Sequence, residues 1–384
     1  MHTVVHQESL NPTAPTTRDG ENMAHIHTRP DWHINERDAT TEETYRSRRR
    51  FIRQFGLGGI AATTIGVGTG LTTGCQAQPA TDGPGAQGTL LPGTDPEHPL
   101  DTIPENAPRT GLPAARNANF VVPERPETTR IAASSYNNYY EFISQGDLKT
   151  VWPLTGDYKP FPHTIEVRGL VEKKKTFDVD ELITRLGLEE RLYRFRCVEA
   201  WSMTIPWVGF PLAKLIEACA PLSKATHVRF YSVDRPKEMP GIRNARWFDF
   251  PYYEALRMDE ATHELAFVAT GMYGEPLPKQ NGSPLRLVLP WKYGYKGAKA
   301  ISRIEFVDKQ PPTFWQDLFP NEYGFLSNVN PNLPHPRWSQ AQERHILEPD
   351  RLERIPTQLF NGYADIVGRL YPDEPTEFKR GAVR

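Results

Sequence analysis

Three stretches of this 384-residue chain carry residue types that could do chemistry together. In the first, Cys197 closes an alternating run, Tyr193-Arg-Phe-Arg-Cys-Val, with Arg194 and Arg196 beside it. Nearby positive charge lowers a thiol pKa and favours the thiolate, which is both a nucleophile and a ligand for soft transition metals. Glu199 and Trp201 follow at once, placing a carboxylate and an indole next to the sulfur. A buried core cysteine and a Cys197–Cys219 disulfide fit the same spacing. Glu199 has two readings as well, a proton relay or an ion pair with Arg194 or Arg196.

The second stretch, residues 278–299, carries Lys279, Arg286, Lys292, Lys296 and Lys299 and no acid. Gly282, Gly294 and Gly297 let backbone N–H groups come close to a ligand. Basic side chains with glycine-freed amides make an anion site, typically for phosphate. No GxxxxGK[ST] is present, so it is not a P-loop; a solvated basic loop is the alternative. The third stretch, Ser135-Tyr-Asn-Asn-Tyr-Tyr-Glu-Phe142, sets amides among aromatic rings, a combination suited to a flat, hydrogen-bonding heterocycle.

These stretches need a scaffold, and the periodicity predicts one. Residues 164–170 alternate as a half-buried strand. Asp178 and Glu181 form a capping box for a helix carrying Leu182, Ile183 and Leu186. Residues 193–198 read as a strand that ends at the cysteine. Pro211 opens a helix with Leu212, Leu215, Ile216 and Cys219 on one stripe, which makes Cys219 an inert buried thiol. Further strands are predicted at 227–233, 265–270, 285–289 and 301–307. The class is α+β, with mixed sheet, short helices and long loops.

The rest of the chain is of another kind. Residues 47–53, Ser-Arg-Arg-Arg-Phe-Ile-Arg, form a twin-arginine pattern, and a Gly- and Thr-rich, weakly apolar run follows. That run has the length of a spanning helix but not its apolarity. Residues 47–77 therefore read as a cleavable export signal, 1–46 as a disordered leader and 78–131 as a Pro/Gly-rich linker or chain draped over the domain. Residues 132–384 form the catalytic domain. Thr72-Thr73-Gly74-Cys75 lacks the Leu usual in a lipoprotein box, which argues against lipidation of Cys75. The predicted location is the periplasm or cell envelope. A net charge of −2 argues against a bulk nucleic-acid or membrane-surface role, and an apolar fraction of 38% is low for a wholly globular chain. Three cysteines without CxxC spacing exclude a disulfide scaffold and a zinc knuckle.

In order and spacing the three stretches resemble the molybdopterin enzymes with a sulfite-oxidase-type fold, and among them the catalytic subunits of protein-methionine-sulfoxide reductase systems. Residues 136–142, 193–203, 206–212, 280–284, 290–297 and 334–341 carry the likeness. The resemblance implies that Cys197 gives the one protein thiolate to the molybdenum of a molybdopterin. It implies that Asn137, Tyr140 and Glu141 contact the pterin, and that Asn281, Arg286, Gly297, Ala298 and Lys299 hold the pterin and its phosphate. Ser232 stands where the family usually has a Thr touching the cofactor. Further implications are reduction of methionine sulfoxide in oxidised proteins, with Glu199 in the catalytic pocket, and a monomeric catalytic subunit. The chain has no CxxCH haem motif, flavin fingerprint or iron–sulfur cysteine set, so electrons come from outside, by resemblance from a haem-bearing membrane subunit. A sulfite oxidase or general S- or N-oxide reductase is the competing enzyme. A cofactor-free envelope binding module is the competing non-enzyme.

Overall fold

The computed structural model describes residues 100, 102–143, 151–245 and 248–377. The expected leader at 1–46, the expected export signal at 47–77 and Cys75 lie outside them. Two mixed sheets organise the described residues. The strands are β1 (Thr164–Gly169), β2 (Lys175–Asp178), β3 (Glu189–Arg196), β4 (Trp201–Pro211), β5 (His227–Ser232), β6 (Tyr253–Arg257), β7 (Phe267–Met272), β8 (Glu275–Pro276), β9 (Arg286–Val288), β10 (Ile301–Val307), β11 (Gln342–Glu348) and β12 (Arg351–Pro356). One sheet runs β2-β1-β10-β5-β6. The other runs β12-β11-β4-β7-β8, with β3 also on β4 and β9 also on β7. The pairs β1–β10 and β4–β11 are parallel and the other strand pairs antiparallel. The architecture is the α+β class that the periodicity predicts.

The alternating segments became strands for the expected reason. In β1, Ile165 and Val167 face inward and are fully buried while their neighbours are not. Helix α1 (Arg130–Ser135) is capped by Thr129, whose hydroxyl accepts from the Ala132 N–H. Helix α2 (Val179–Leu186) is capped by Asp178, whose carboxylate accepts from the N–H groups of Asp180 and Glu181. That cap satisfies donors the first turn would otherwise leave open. Helix α3 (Leu212–Cys219) buries the predicted stripe of Leu212, Leu215, Ile216 and Cys219.

Strand β4 escapes pattern reading. All its residues but the last are buried, so no alternation marks it, and it carries Pro206 and Pro211. It sits inside its sheet, flanked by β3, β7 and β11, and a strand covered on both faces has no period of two. Strands β3 and β4 form a hairpin whose tip, residues 197–200, projects from the sheet end.

Residues 102–131 lie along the second sheet. Arg116 pairs with Glu190 at 2.6 Å, the Thr128 N–H donates to the Thr204 carbonyl at 2.9 Å, and the Thr102 hydroxyl donates to Gln280 at 2.6 Å. Among the described residues no helix is long and apolar enough to cross a membrane.

Candidate active site

Cys197 stands at the tip of the β3–β4 hairpin, in the wall of a cavity of about 1010 Å³, counting the space open to solvent. The tip is a tight turn. The Cys197 N–H donates to the Trp201 carbonyl at 2.8 Å, the Ala200 N–H donates back to the Cys197 carbonyl at 3.1 Å, and Ala200 takes a left-handed φ of 65°. A non-glycine residue there is strained and persists only where its surroundings hold it. Those surroundings arrive from about 140 residues later. The Trp338 indole and the Gln340 amide both donate to the Val198 carbonyl, at 2.9 and 2.5 Å. The Arg344 guanidinium donates to the Glu199 carbonyl at 3.1 Å, and its N–H to the Ala200 carbonyl at 2.7 Å. The Arg196 guanidinium donates to the Cys197 carbonyl. Each carbonyl of the tip is thus held from outside the turn.

The thiol is free, and so is Cys219, which is buried on α3. The disulfide is therefore ruled out for this fold, and so is a purely aliphatic setting for Cys197. Two N–H groups point at the sulfur, Glu199 N and Asn138 Nδ2, each at 3.4 Å. Asn138 Nδ2 also donates to Glu199 Oε2 at 3.1 Å, tying acid and sulfur together.

The expected arginine activation of the thiol is not what the structure has. Burial, with Glu199 second, pushes the Cys197 thiol up to about 12. Arg196 is spent on Glu343, Gln340 and Thr357. Arg194 is spent on Glu124, Gln358 and the Asn361 carbonyl. Neither pairs with Glu199, so the ion-pair reading of that acid falls too. A thiol in this position becomes a thiolate when a metal cation supplies the missing charge.

The basic stretch divides. Arg286 and Lys299 line the cavity, whereas Lys279, Lys292 and Lys296 do not. Lys292 donates to Glu260 at 2.7 Å, to Asn328 and to the Leu326 carbonyl, and Lys296 pairs with Glu254 at 2.6 Å. These two lysines are buried struts under the loop. Lys279 caps the carbonyls of Thr155 and Gly156. By contrast, Arg286 and Lys299 form no ion pair with any described residue. Arg286 donates to backbone carbonyls, including Asn281 O at 3.1 Å, and burial brings its guanidinium down to about 10. Lys299 donates to the Asn138 carbonyl at 2.8 Å; burial, and then the charge of Arg286, push its ammonium down. Burial in turn raises the Glu141 carboxyl, against the pull of Lys299.

Most of the other residues singled out in the sequence meet at this cavity. Asn137, Tyr140, Glu141, Glu199, Asn281 and Gly297 all line it. Ser232 and Ala298 do not. Ser232 lies behind the wall against Glu141, and Ala298 is fully buried with its carbonyl accepting from the Leu287 N–H. A pattern in one dimension could not separate the wall from the layer behind it. Trp201 lines the cavity, while Trp291 is core, its indole bonded to Tyr371 at 2.8 Å. Asn138, which sequence reasoning included only as one amide of the 135–142 stretch, lines it too, and so do Tyr252, Trp315 and Tyr323, which were given no role; nor was Arg344. Tyr252 and Tyr323 come from irregular segments, and Trp315 from a five-residue helix, Phe314–Leu318, too short to show a period.

The residues fit an anionic, hydrogen-bonding organic group that carries a metal. Arg286 is buried without an ion pair among the described residues, and the half-buried Lys299 feels Glu141 only through its charge; cations so placed are costly unless an anion joins them. The side-chain oxygens of Asn138 and Asn281 are buried and accept no hydrogen bond from any described residue. Such acceptors call for N–H donors from a ligand. Gly297 is needed for close approach, because a Cβ there would lie 2.6 Å from the Leu287 carbonyl and 3.4 Å from Arg286 Nη2. Among the described residues no three His, Cys, Asp or Glu side chains could together hold a metal ion. A metal at Cys197 must then bring most of its ligands with it.

Comparison with known proteins agrees with this geometry. The family described as "Oxidoreductase molybdopterin binding domain" matches residues 153–315. The protein-methionine-sulfoxide reductase catalytic subunit MsrP of Burkholderia mallei is 49% identical over 261 residues, covering 68% of this chain and 78% of that protein. Its counterpart in Xanthomonas axonopodis pv. citri is 44% identical over 338 residues, 87% of this chain and 94% of the other. The one in Ralstonia nicotianae is 48% identical over 266 residues, 68% and 79% of the two chains. A solved structure, the sulfane dehydrogenase SoxCD from Paracoccus pantotrophus, matches 40% of each chain at 19% identity with a TM-score of 0.34, too slight a likeness to carry an argument. On the identity and coverage of these relatives, the chain belongs to the family of protein-methionine-sulfoxide reductase catalytic subunits.

Proposed function

We propose that this chain reduces methionine sulfoxide with a molybdenum-bearing molybdopterin, repairing oxidised proteins of the cell envelope. The observation that carries the reading is the single cavity wall that combines a thiol, a carboxylate and two cations that form no ion pair with any described residue. The family membership and the molybdopterin-binding match support it. The overall change is balanced as methionine sulfoxide plus two electrons and two protons giving methionine and water.

Cys197 would hold the metal through Sγ. Arg286 and Lys299 would neutralise the cofactor's phosphate, while Asn137, Asn281 and the backbone at Gly297 would hold its pterin. Glu141, also in the cavity wall, favours the charged form of Lys299 against burial and Arg286. When bound, the cofactor supplies two-electron oxygen-atom transfer chemistry, which side chains alone lack. Glu199 is fixed beside the sulfur by Asn138. From there its carboxylate can hold a proton at Oε for the leaving oxygen. A carboxylate at this point disfavours an anion such as sulfite and tolerates a neutral sulfoxide. Electrons must come from another protein, and the resemblance points to a haem-bearing membrane subunit. The twin-arginine pattern at 47–53 supports export in the folded, cofactor-loaded state, and hence a periplasmic or envelope location.

The test uses protein from a molybdenum-competent host. The parent should carry one molybdenum per chain, as expected for a single cofactor site. With a chemical electron donor it should reduce methionine sulfoxide faster than it oxidises sulfite. Cys197→Ala should fold and lose the reductase activity. Full activity in that variant, or a parent without molybdenum, overturns the reading.

A further inference from the structure

Five tyrosines line the cavity: Tyr136, Tyr140, Tyr252, Tyr295 and Tyr323. Three have committed hydroxyls. Tyr136 donates to the Pro349 carbonyl at 2.8 Å, Tyr252 to the Tyr295 carbonyl at 2.5 Å, and Tyr295 to Ser327 Oγ at 2.5 Å. Tyr140 and Tyr323 differ, since their hydroxyls bond to no described residue. Their rings are nonetheless fixed. Trp315 lies between them, with its ring centre 4.9 Å from that of Tyr140 and 5.5 Å from that of Tyr323. Tyr295 and His335 close on Tyr323 at 5.2 and 5.4 Å, and Phe248 on Tyr140 at 5.8 Å.

Both phenols are pushed up, by burial first and then by neighbours that include Glu199 and Cys197. Two things follow. Both hydroxyls lie within electrostatic reach of the sulfur and the acid, and both keep their protons at neutral pH. The cavity therefore presents two rigid O–H donors without a partner among the described residues, set in an aromatic wall beside the reactive centre. A buried donor left unpaired costs free energy until a ligand acceptor meets it.

We propose that Tyr140 and Tyr323 bind the sulfoxide oxygen of the substrate, donating one hydrogen bond each, while the Trp315 wall packs on the methyl and sulfur. The proposal rests on the functional reading above. A sulfoxide oxygen carries much of the S–O dipole's negative charge and has lone pairs for two donors. The product sulfur carries no oxygen and leaves both donors unpaired. A site built to bond an oxygen rejects the analogue that lacks it, so the same two phenols favour entry of the oxidised side chain and departure of the reduced one.

The experiment compares two ligands on the oxidised holoenzyme by calorimetry. Methionine sulfone has oxygen on sulfur but lies beyond this reduction, and methionine has none. Tyr140→Phe and Tyr323→Phe keep the rings and remove the donors. Each variant should weaken sulfone binding about tenfold, the worth of one such bond, and leave methionine binding within about twofold of the parent. The kcat/KM for methionine sulfoxide should fall by at least as much. Should Tyr140→Phe lose molybdenum, Tyr323→Phe decides the matter. Equal losses for sulfone and methionine, or no change for the sulfone, overturn the proposal. A parent that reduces methionine sulfoxide while its Phe variants match it sinks this inference alone. A parent that does not reduce methionine sulfoxide sinks the functional reading with it.

Discussion

Arg286 and Lys299 invite comparison with Lys292 and Lys296, because the four cations share one short stretch of chain. Lys292 and Lys296 each meet a buried carboxylate, Glu260 and Glu254. Arg286 and Lys299 form no ion pair with a described residue and bond to carbonyls instead, with Arg286 5.0 Å from the Phe195 ring and Lys299 4.6 Å from that of Tyr139; Glu141 reaches Lys299 through its charge alone. A cation that arrives with its counter-ion serves the fold, and one that lacks it serves a ligand. Basic residues in a row are therefore not a binding site until each partner is known.

The contrast breaks most sharply under paired substitution. Lys292→Met abandons the Glu260 charge in the interior and should cost about 3–5 kcal/mol of unfolding free energy, read by urea denaturation. Arg286→Met abandons no acid. In cofactor-free protein its stability should match or exceed the parent's, while molybdenum loading in a competent host collapses. Equal stability losses in the two variants would erase the distinction.

Acid sharpens the comparison next. Burial alone would raise the Glu260 carboxyl, but the charge and bond of Lys292, the Tyr371 hydroxyl and the Arg257 N–H hold it at about 2, below its ordinary 4.5. A folded pKa below the unfolded one gives stability that is complete above about 4.5 and is lost as pH falls toward 2. That contribution is roughly 3 kcal/mol. Urea midpoints measured down this range should drop more steeply for the parent than for Glu260→Gln. Parallel curves would show that the pair is not the strut described.

The smallest effect comes from Gly297→Ala, between the two sets. The added methyl crowds the Leu287 carbonyl and Arg286 Nη2 but none of the acids. It should lower molybdenum content measurably and stability by about 1–3 kcal/mol. Gly156→Ala, with open space around it, should change neither.

The sequence disclosed the parts of this molecule that repeat a local rule. Strand β1 shows because one face is wet, α3 because its stripe has helical spacing, and α2 because Asp178 caps it. Cys197 and Glu199 stood out because a hairpin tip puts neighbours in sequence into one place. Strand β4 stayed hidden since both its faces are covered. Tyr323 and Arg344 did too, because only the fold brings residues 120 or more positions later against that tip. The thiol's environment was misjudged for a related reason. Arg194 and Arg196 are adjacent in sequence, yet their charges are consumed by Glu124 and Glu343, which the sequence places far away.

The grip on the hairpin tip has a consequence for how the protein is made. Trp338, Gln340 and Arg344 hold the four-residue turn that bears Cys197. A ribosome that has reached residue 330 has already produced the sulfur, the acid and both ligand-seeking cations, but not the three residues that hold the carbonyls of Val198, Glu199 and Ala200. The metal-binding posture is acquired last, so an unfinished chain presents a loose thiol rather than a receptor, and only a completed one offers the rigid seat.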